Sequence, residues 1–469
     1  MVDVVVLGDS LPELASALEL AEVGLSVRIY PHMREDDRAD PRDADGVRDP
    51  DGSLRSFLAH VATPIGGAGA PENGSGPGFT ELPPPPPLLQ NAQGEWLPQP
   101  QPAVFGIPAV PLSSASLALL GGGAAFRAAL DRIRPVLTIG KTHEFGELVR
   151  NRMGGGVLER LVEPLTREAY GVPAADVDVA IIAPGLNEAL TRMGSLSGAA
   201  LDYAERNVAR ETRVAPSAGW GELRTALLRR LGLYAVEFAE SPAGIVTATE
   251  TGWTVATGAA AASGSLHPEE SGPQPTAGVQ APEQATTARA IVRGAAASGH
   301  APQDPELSGL LGGPRRICGR VAVAQPAFPS THPEGPGVRG VQVGDGSSWT
   351  VRFAPAGAGW QAIVSGPAAQ GLATTEAARS AAEAWVKDAA IAAGATLIEG
   401  TAEVSMPFAP YVTIEQRDAA QGQLSAWADA RPGQIPTGGA LHGGDLAAAI
   451  ADARARAIQL RRHLTGITD

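Results

Sequence analysis

The chain is poor in several residue types, and each shortage excludes something. There is one cysteine, Cys318, in 469 residues, so neither a disulfide framework nor a cysteine metal cluster can be built, as expected for a reducing cytoplasm. Basic residues are outnumbered: Lys plus Arg count 36 against 50 Asp plus Glu, a net charge of -14. A chain this acidic lacks the phosphate-neutralising surplus that drives nucleic-acid binding, so no nucleic-acid partner is expected, and its global charge also disfavours anionic membranes. Long apolar runs are absent too. The opening "MVDVVVLGDS" has no basic leader and its apolar run stops at Leu7, so it reads as a strand and not as a signal peptide. The most apolar stretch, Ala103 to Leu120, is interrupted by Pro108, Pro111 and serines; it is too broken to span a bilayer, although it could lie against one. Aromatics reach only 4%, while glycine (57) and proline (40) are abundant, a balance that points to long irregular segments.

What is present begins with "VVVLGDSLPELASALELAEVGLSVRIYPHM", residues 4 to 33. Val2 to Leu7 is a β-branched run suited to a strand buried on both faces. Gly8 ends it; Leu11, Leu14, Ala15 and Leu18 recur at helical spacing with Pro12 in the first turn; Gly24 stops the helix before "LSVRIY". This is a βαβ unit. Residues 35–81 and 256–312 read as low-complexity loops, and Pro83 to Pro87 as a polyproline segment. Helical periodicity returns from Thr142 to Tyr170 with a break at Gly154 to Gly156, and "GWGELRTALLRRLG" (219–232) is one more helix. "GIVTATETGWTV" (244–255) alternates like a hairpin. Strands follow within 320–328, 340–344, 348–354 and 360–366, then helices at 375–393 and 446–463.

A dinucleotide fingerprint uses three glycines, for a tight turn, for close approach of backbone to pyrophosphate and for close helix-to-strand packing; an acid after the second strand holds the ribose hydroxyls. Here the three positions read Gly8, Ser10 and Glu13, and the ribose position falls on Pro31 after Tyr30. Only the turn glycine remains. Glu13, with Asp9 beside it, brings negative charge to a helix start whose dipole otherwise attracts phosphate.

The order of segments beyond this unit resembles the protoporphyrinogen oxidase family, including its coproporphyrinogen-oxidising members, within the FAD-dependent amine-oxidase-like superfamily. The resemblance is carried by "AQGEWLPQPQPAVFGIP", "RNRMGGGVLERLVEPLTREAYG", "APSAGWGELRTALLRRLG", "MPFAPYV" and "GGALHGGDLAAAIADARARA". In the third, Ala218 replaces the first glycine of a Gly-Gly motif and Gly219 keeps the second; in the last, Gly438, Gly443 and Gly444 fit, while Gly439 replaces an asparagine and Asp445 a glycine. The resemblance implies an α/β fold: a Rossmann-like FAD domain assembled from 1–55, 204–256 and 398–469, with a helical lobe (90–203) and a mixed-sheet substrate domain (313–397) inserted. It implies FAD as cofactor, held around Gly8, Ser10, Gly219, Gly438, Gly443 and Gly444, with no metal and no side chain required as catalyst. The implied activity is oxidation of a porphyrinogen to a porphyrin, a step of heme formation, at a site whose motifs are eroded. Arg152, Arg160 and Arg167 are candidates for meeting the propionates of a tetrapyrrole. The alternative is a non-catalytic relative that binds a tetrapyrrole or another hydrophobic small molecule, or serves as a scaffold. A cytoplasmic location, with peripheral membrane contact and oligomeric state left open, completes the expectation.

Overall fold

A computed structural model describes residues 1–31, 46–63, 78–82, 86–135, 143–206, 213–257, 285–295, 307, 310–311, 313–326, 337–344, 346–356, 359–398, 400 and 402–466. The fold is mixed α/β, as expected. Val2–Leu7, helix Leu11–Ala21 and Val27–Tyr30 form the predicted βαβ unit, with the two strands parallel from Val4 opposite Val27 to Leu7 opposite Tyr30. Alternation then sends side chains to two layers. Val4 and Val6 pack with Leu14 and Leu18 of the first helix and Ile450 of the closing helix Leu446–Thr465, while Val5 faces a smaller core with Tyr30, Val255 and Ile291.

The sheet's middle strand is Thr286–Gly294. It runs parallel to Val2–Leu7 on one side (Val2 opposite Ala288, Leu7 opposite Arg293); on the other, its first residues pair with the hairpin strand Gly252–Thr257 and its last with Gln434–Thr437. This corrects the reading of 256–312 as a loop throughout. "TTARAIVRG" is a strand embedded in Ala-, Gly- and Thr-rich chain, and its alanines, small enough to sit against both packed layers, hid it. The 35–81 loop needs the same correction: Ser53–Ala62 is a helix that buries Leu54, Phe57, Leu58 and Val61, and Val47–Arg48 and Phe79–Leu82 flank strand Arg213–Pro216. Residues 32–45, 64–77, 83–85 and 258–284, which make up most of the remainder of both loops and of the proline tract, lie outside the described residues.

A second sheet runs, in spatial order, Glu403–Ser405, Cys318–Val323, Gly359–Ser365, Ser347–Ala356, Gly337–Val343, Leu88–Gln90 and Trp96–Pro98. Helix Glu376–Ala392 seals one face by setting Val386, Ala389 and Ala390 against Val321, Val351 and Val364. A helical lobe with its own core (Phe145, Val149, Leu161, Leu186, Leu196, Tyr203) presents helix Glu163–Tyr170 to the other face, where Glu168 pairs with Arg352. The helical break lies at Gly154 alone: Gly155–Val157 is already helical and continues through one π-type turn, Leu158–Val162.

If Thr286–Gly294 is the middle of the first sheet, truncating wholly buried Ile291 to alanine should cost about 2–5 kcal/mol. Denaturant unfolding of Ile291→Ala checks this, and a loss below about 0.5 kcal/mol, the range of a surface change, would refute the placement.

Candidate functional site

Most of the residues expected to hold a dinucleotide gather at one edge of the first sheet, at the N-termini of two neighbouring helices. At the first helix, Gly8 (φ 117°) makes the turn, and Ser10 stands at the N-cap with φ -76° and ψ 169°. Its hydroxyl makes no capping bond and contacts the Glu13 carboxylate instead. Glu13 is wholly buried in the slot where close helix-to-strand packing wants a glycine. The facing strand accommodates it: a Cβ added to Gly294 would lie 2.9 Å from Glu13 Oε1 and 2.4 Å from the Leu7 carbonyl oxygen. The close approach has moved across the interface, from helix glycine to strand glycine.

Beside it, Asp9 is nearly buried, and its Oδ2 accepts from Arg224 Nη2 at 2.5 Å. Arg224 comes from helix Trp220–Leu233, 215 residues away in sequence. The N-terminus of the first helix, which would attract a diphosphate, is thus occupied by two carboxylates of the chain and an arginine that answers one of them. A diphosphate brought there would meet both carboxylates, at about 4 kcal/mol per pair of unit charges at 4 Å and an effective dielectric near 20. On the ribose side, Tyr30 is wholly buried with its hydroxyl donating to Thr286 Oγ1 at 2.9 Å, and half-buried Pro31 offers no side-chain acceptor. These residues do not fit a dinucleotide diphosphate.

At the same edge of the sheet, Gln434–Thr437 runs into Gly438 (φ 121°), where a Cβ would stand 2.0 Å from the Ala295 carbonyl oxygen. A short 3-10 turn, Gly439–His442, leads to Gly443 (φ 62°) and Gly444 (φ 80°). Gly443 packs on the 406–412 segment, with an added Cβ 3.3 Å from Pro410 Cα and from Tyr411 N. Asp445 is the N-cap of the closing helix, its Oδ1 accepting from the Ala448 amide at 3.0 Å. Asp445 is exposed at the surface. Desolvation by the protein around it pushes its carboxyl above the ordinary range, against the pull of the Ala448 and Ala447 amides, His442 and Arg48. Both helices that would point their N-termini at a cofactor therefore carry carboxylates there.

Around this turn, Tyr411 donates its hydroxyl to the Leu441 carbonyl at 3.1 Å, and burial raises its ionisation. His442 Nε2 lies 3.4 Å from Asp452 Oδ2, near enough for charge attraction but off-axis for a hydrogen bond, and Arg456 Nε donates to that oxygen at 2.8 Å. Gly219 (φ 87°) starts helix Trp220–Leu233 in open space, with nothing within 4 Å of an added Cβ.

The three arginines proposed to meet propionates have other work. Arg152 is buried, bonded through Nε to Asp131 Oδ1 at 2.6 Å and through Nη1 and Nη2 to backbone carbonyls. Arg160 Nη1 donates to the Leu120 carbonyl at 2.6 Å, and Arg167 pairs with Glu163 at 2.7 Å. They tie the lobe together. Arg224, Arg48 and Gly294 were not legible as site residues, because their partners are brought to them only by the fold.

Burial works to raise the Asp452 carboxyl, but His442 and Arg456 outweigh it and hold the group below its usual 3.8. A depressed carboxylate stabilises the fold above its unfolded value and loses that contribution as pH falls through the folded value. Asp452→Asn should therefore melt lower than the parent protein at pH 7, with the gap closing at pH 3. A gap that persists unchanged at pH 3 in thermal melts rules out charge as its origin.

No protein-family model matches the chain. Coproporphyrinogen III oxidase of Bacillus subtilis (strain 168) is 41% identical over 101 residues, 19% of this chain and 20% of that protein, so the match spans about a fifth of the relative's length. A structure named as a candidate protoporphyrinogen oxidase, from Exiguobacterium sp. 255-15, superposes with a TM-score of 0.60 at 17% identity, covering 98% of this chain and 99% of that one. Reduced UDP-galactopyranose mutase superposes with a TM-score of 0.53 at 12% identity, covering 100% and 96%. Among the described residues no helix is long and apolar enough to cross a membrane, and no group of three or more His, Cys, Asp or Glu is placed to hold a metal ion. These likenesses show a shared mixed α/β fold over nearly the whole chain.

Proposed function

We propose that this chain is a protoporphyrinogen-oxidase-like protein whose dinucleotide site has closed, and that it works as a non-catalytic binding protein for a tetrapyrrole or a similar hydrophobic acid. One observation carries the reading: Asp9, paired with Arg224, and buried Glu13 occupy the helix N-terminus where a diphosphate would sit. An anion site that already holds its anions, and holds them in packed surroundings, gives a second anion neither room nor charge complementarity. What the chain retains is the remainder of the architecture, a helical lobe set over one face of the second sheet.

A second reading, an active FAD-dependent porphyrinogen oxidase, is favoured by the left-handed backbone kept at Gly8, Gly219, Gly438, Gly443 and Gly444. The two readings separate on one measurement. Purified protein incubated with excess FAD, desalted and then denatured should release less than about 0.1 equivalent of flavin; near-stoichiometric flavin would return the chain to the oxidases and make porphyrinogen oxidation the next assay. Ser10→Gly, Glu13→Gly and Asp445→Gly combined should raise FAD affinity about 10-fold or more by removing two carboxylates and one side chain from the site. No gain in a correctly folded triple variant would sink the claim that these positions close it.

A further inference from the structure

The second sheet has one face sealed by helix Glu376–Ala392 and one turned inward, and the inward face carries polar residues that the reading above does not use. Register places Thr350, Ser365, Cys318 and Ser405 in one row across four strands, with Arg352, Ile363, Arg320 and Glu403 in the next. Three arginines share this face by alternation, Arg316, Arg320 and Arg352. Two are committed. Arg316, wholly buried, donates to the carbonyls of Gly366, Ala169 and Arg167, and Arg352 pairs with Glu168.

Arg320 differs. Its Nε and Nη2 are buried and have no hydrogen-bond partner among the described residues, and Ser405 Oγ is likewise buried without one. Glu403, directly across from Arg320, is exposed and makes no ion pair with it among the described residues. Burying two N–H groups of a cation without acceptors is costly, and the cost disappears when an acceptor arrives. The identity of the two atoms specifies that acceptor: Nε and Nη2 form one edge of the guanidinium, the fork that takes both oxygens of a carboxylate side-on. Ser405, 9% exposed, sits diagonally from Arg320 on the same face, within reach of that carboxylate. Strand Glu403–Ser405 continues into the segment on which Gly443 packs, so this edge of the sheet borders the turn that leads to Asp445.

We propose that Arg320 and Ser405 form a carboxylate-binding subsite, which anchors an acidic group of a ligand lying against the inward face of the second sheet. This rests on the binding-protein reading for the nature of the ligand, but not for the anion-binding chemistry. Binding of coproporphyrin III, its tetramethyl ester and citrate to the full chain should be measured by tryptophan quenching and thermal shift, with Arg320→Gln, Arg320→Lys and Ser405→Ala beside the parent protein. The free acid should bind the parent protein and lose about 10-fold or more in affinity in Arg320→Gln, with Lys rescuing only in part because it lacks the fork; the ester should bind all variants alike. Equal affinity of the free acid for the parent protein and Arg320→Gln overturns the subsite and leaves the binding-protein reading standing. Saturable, Arg320-dependent stabilisation by citrate without porphyrin binding keeps the subsite and overturns the tetrapyrrole. Neither acid acting on the parent protein overturns the subsite outright. If Arg320→Gln fails to fold, Ser405→Ala decides, with a loss of about 10-fold expected for one hydrogen bond to a charged group and no loss counting against the proposal.

Discussion

A helix N-terminus points unpaired amides and the positive end of a dipole at whatever lies before it, and something must answer them. Two helices of this chain end this way within one layer: Leu11–Ala21 and Leu446–Thr465 pack along each other, joined by Ser16 Oγ donating to the Ala453 carbonyl at 3.2 Å. In a dinucleotide-binding protein the answer comes from outside, as phosphate or as charge on a ring. Here it comes from within the chain, as Asp9 and Glu13 at one terminus and Asp445 at the other. Internal carboxylates stabilise the apo fold, and by the same electrostatics they oppose the external anion. One constraint is thus satisfied by the chain itself at both helix starts.

Burying two carboxylates at a helix start has consequences elsewhere. Asp9 requires a cation, and Arg224 reaches it from a helix that the fold sets beside the first one. Glu13 requires volume, and Gly294 yields it on the middle strand. Neither compensation is adjacent in sequence to the change it serves. A reading of the fingerprint alone finds the losses at Ser10 and Glu13 and finds none of the residues that make those losses tolerable.

The same separation explains which parts of the fold were legible. Val2–Leu7, Leu11–Ala21 and Leu446–Thr465 carry periodic apolar residues bounded by glycine, and pattern alone gives them within a residue or two. Thr286–Gly294 carries Ala288 and Ala290 where other central strands carry valine, and its neighbours are low in complexity, so its burial is visible only once Val2–Leu7 lies against it. The helix Ser53–Ala62 is similar. Its Leu54, Phe57, Leu58 and Val61 have helical spacing, but the charged and glycine-rich flanks drew the whole region into a loop. At the site, Arg152, Arg160 and Arg167 have the right chemistry for propionates and sit on helices of the lobe, but each partner, Asp131, Leu120 or Glu163, holds its arginine within the lobe.

The retained glycines then need a different interpretation from the one a motif invites. Gly438 is held by the Ala295 carbonyl, which a Cβ would approach to 2.0 Å, and Gly443 by Pro410 and Tyr411 at 3.3 Å. Both contacts belong to the protein, between the end of Gln434–Thr437 and its neighbours, and they demand glycine whether or not a flavin is bound. Gly219, with open space around it, is held by its φ of 87° at a helix start. Backbone geometry at these turns is therefore fixed by packing within the protein. Ser10, Glu13 and Asp445 stand at helix starts where side chains are accommodated, Glu13 against Gly294 and Asp445 by accepting from the Ala448 amide.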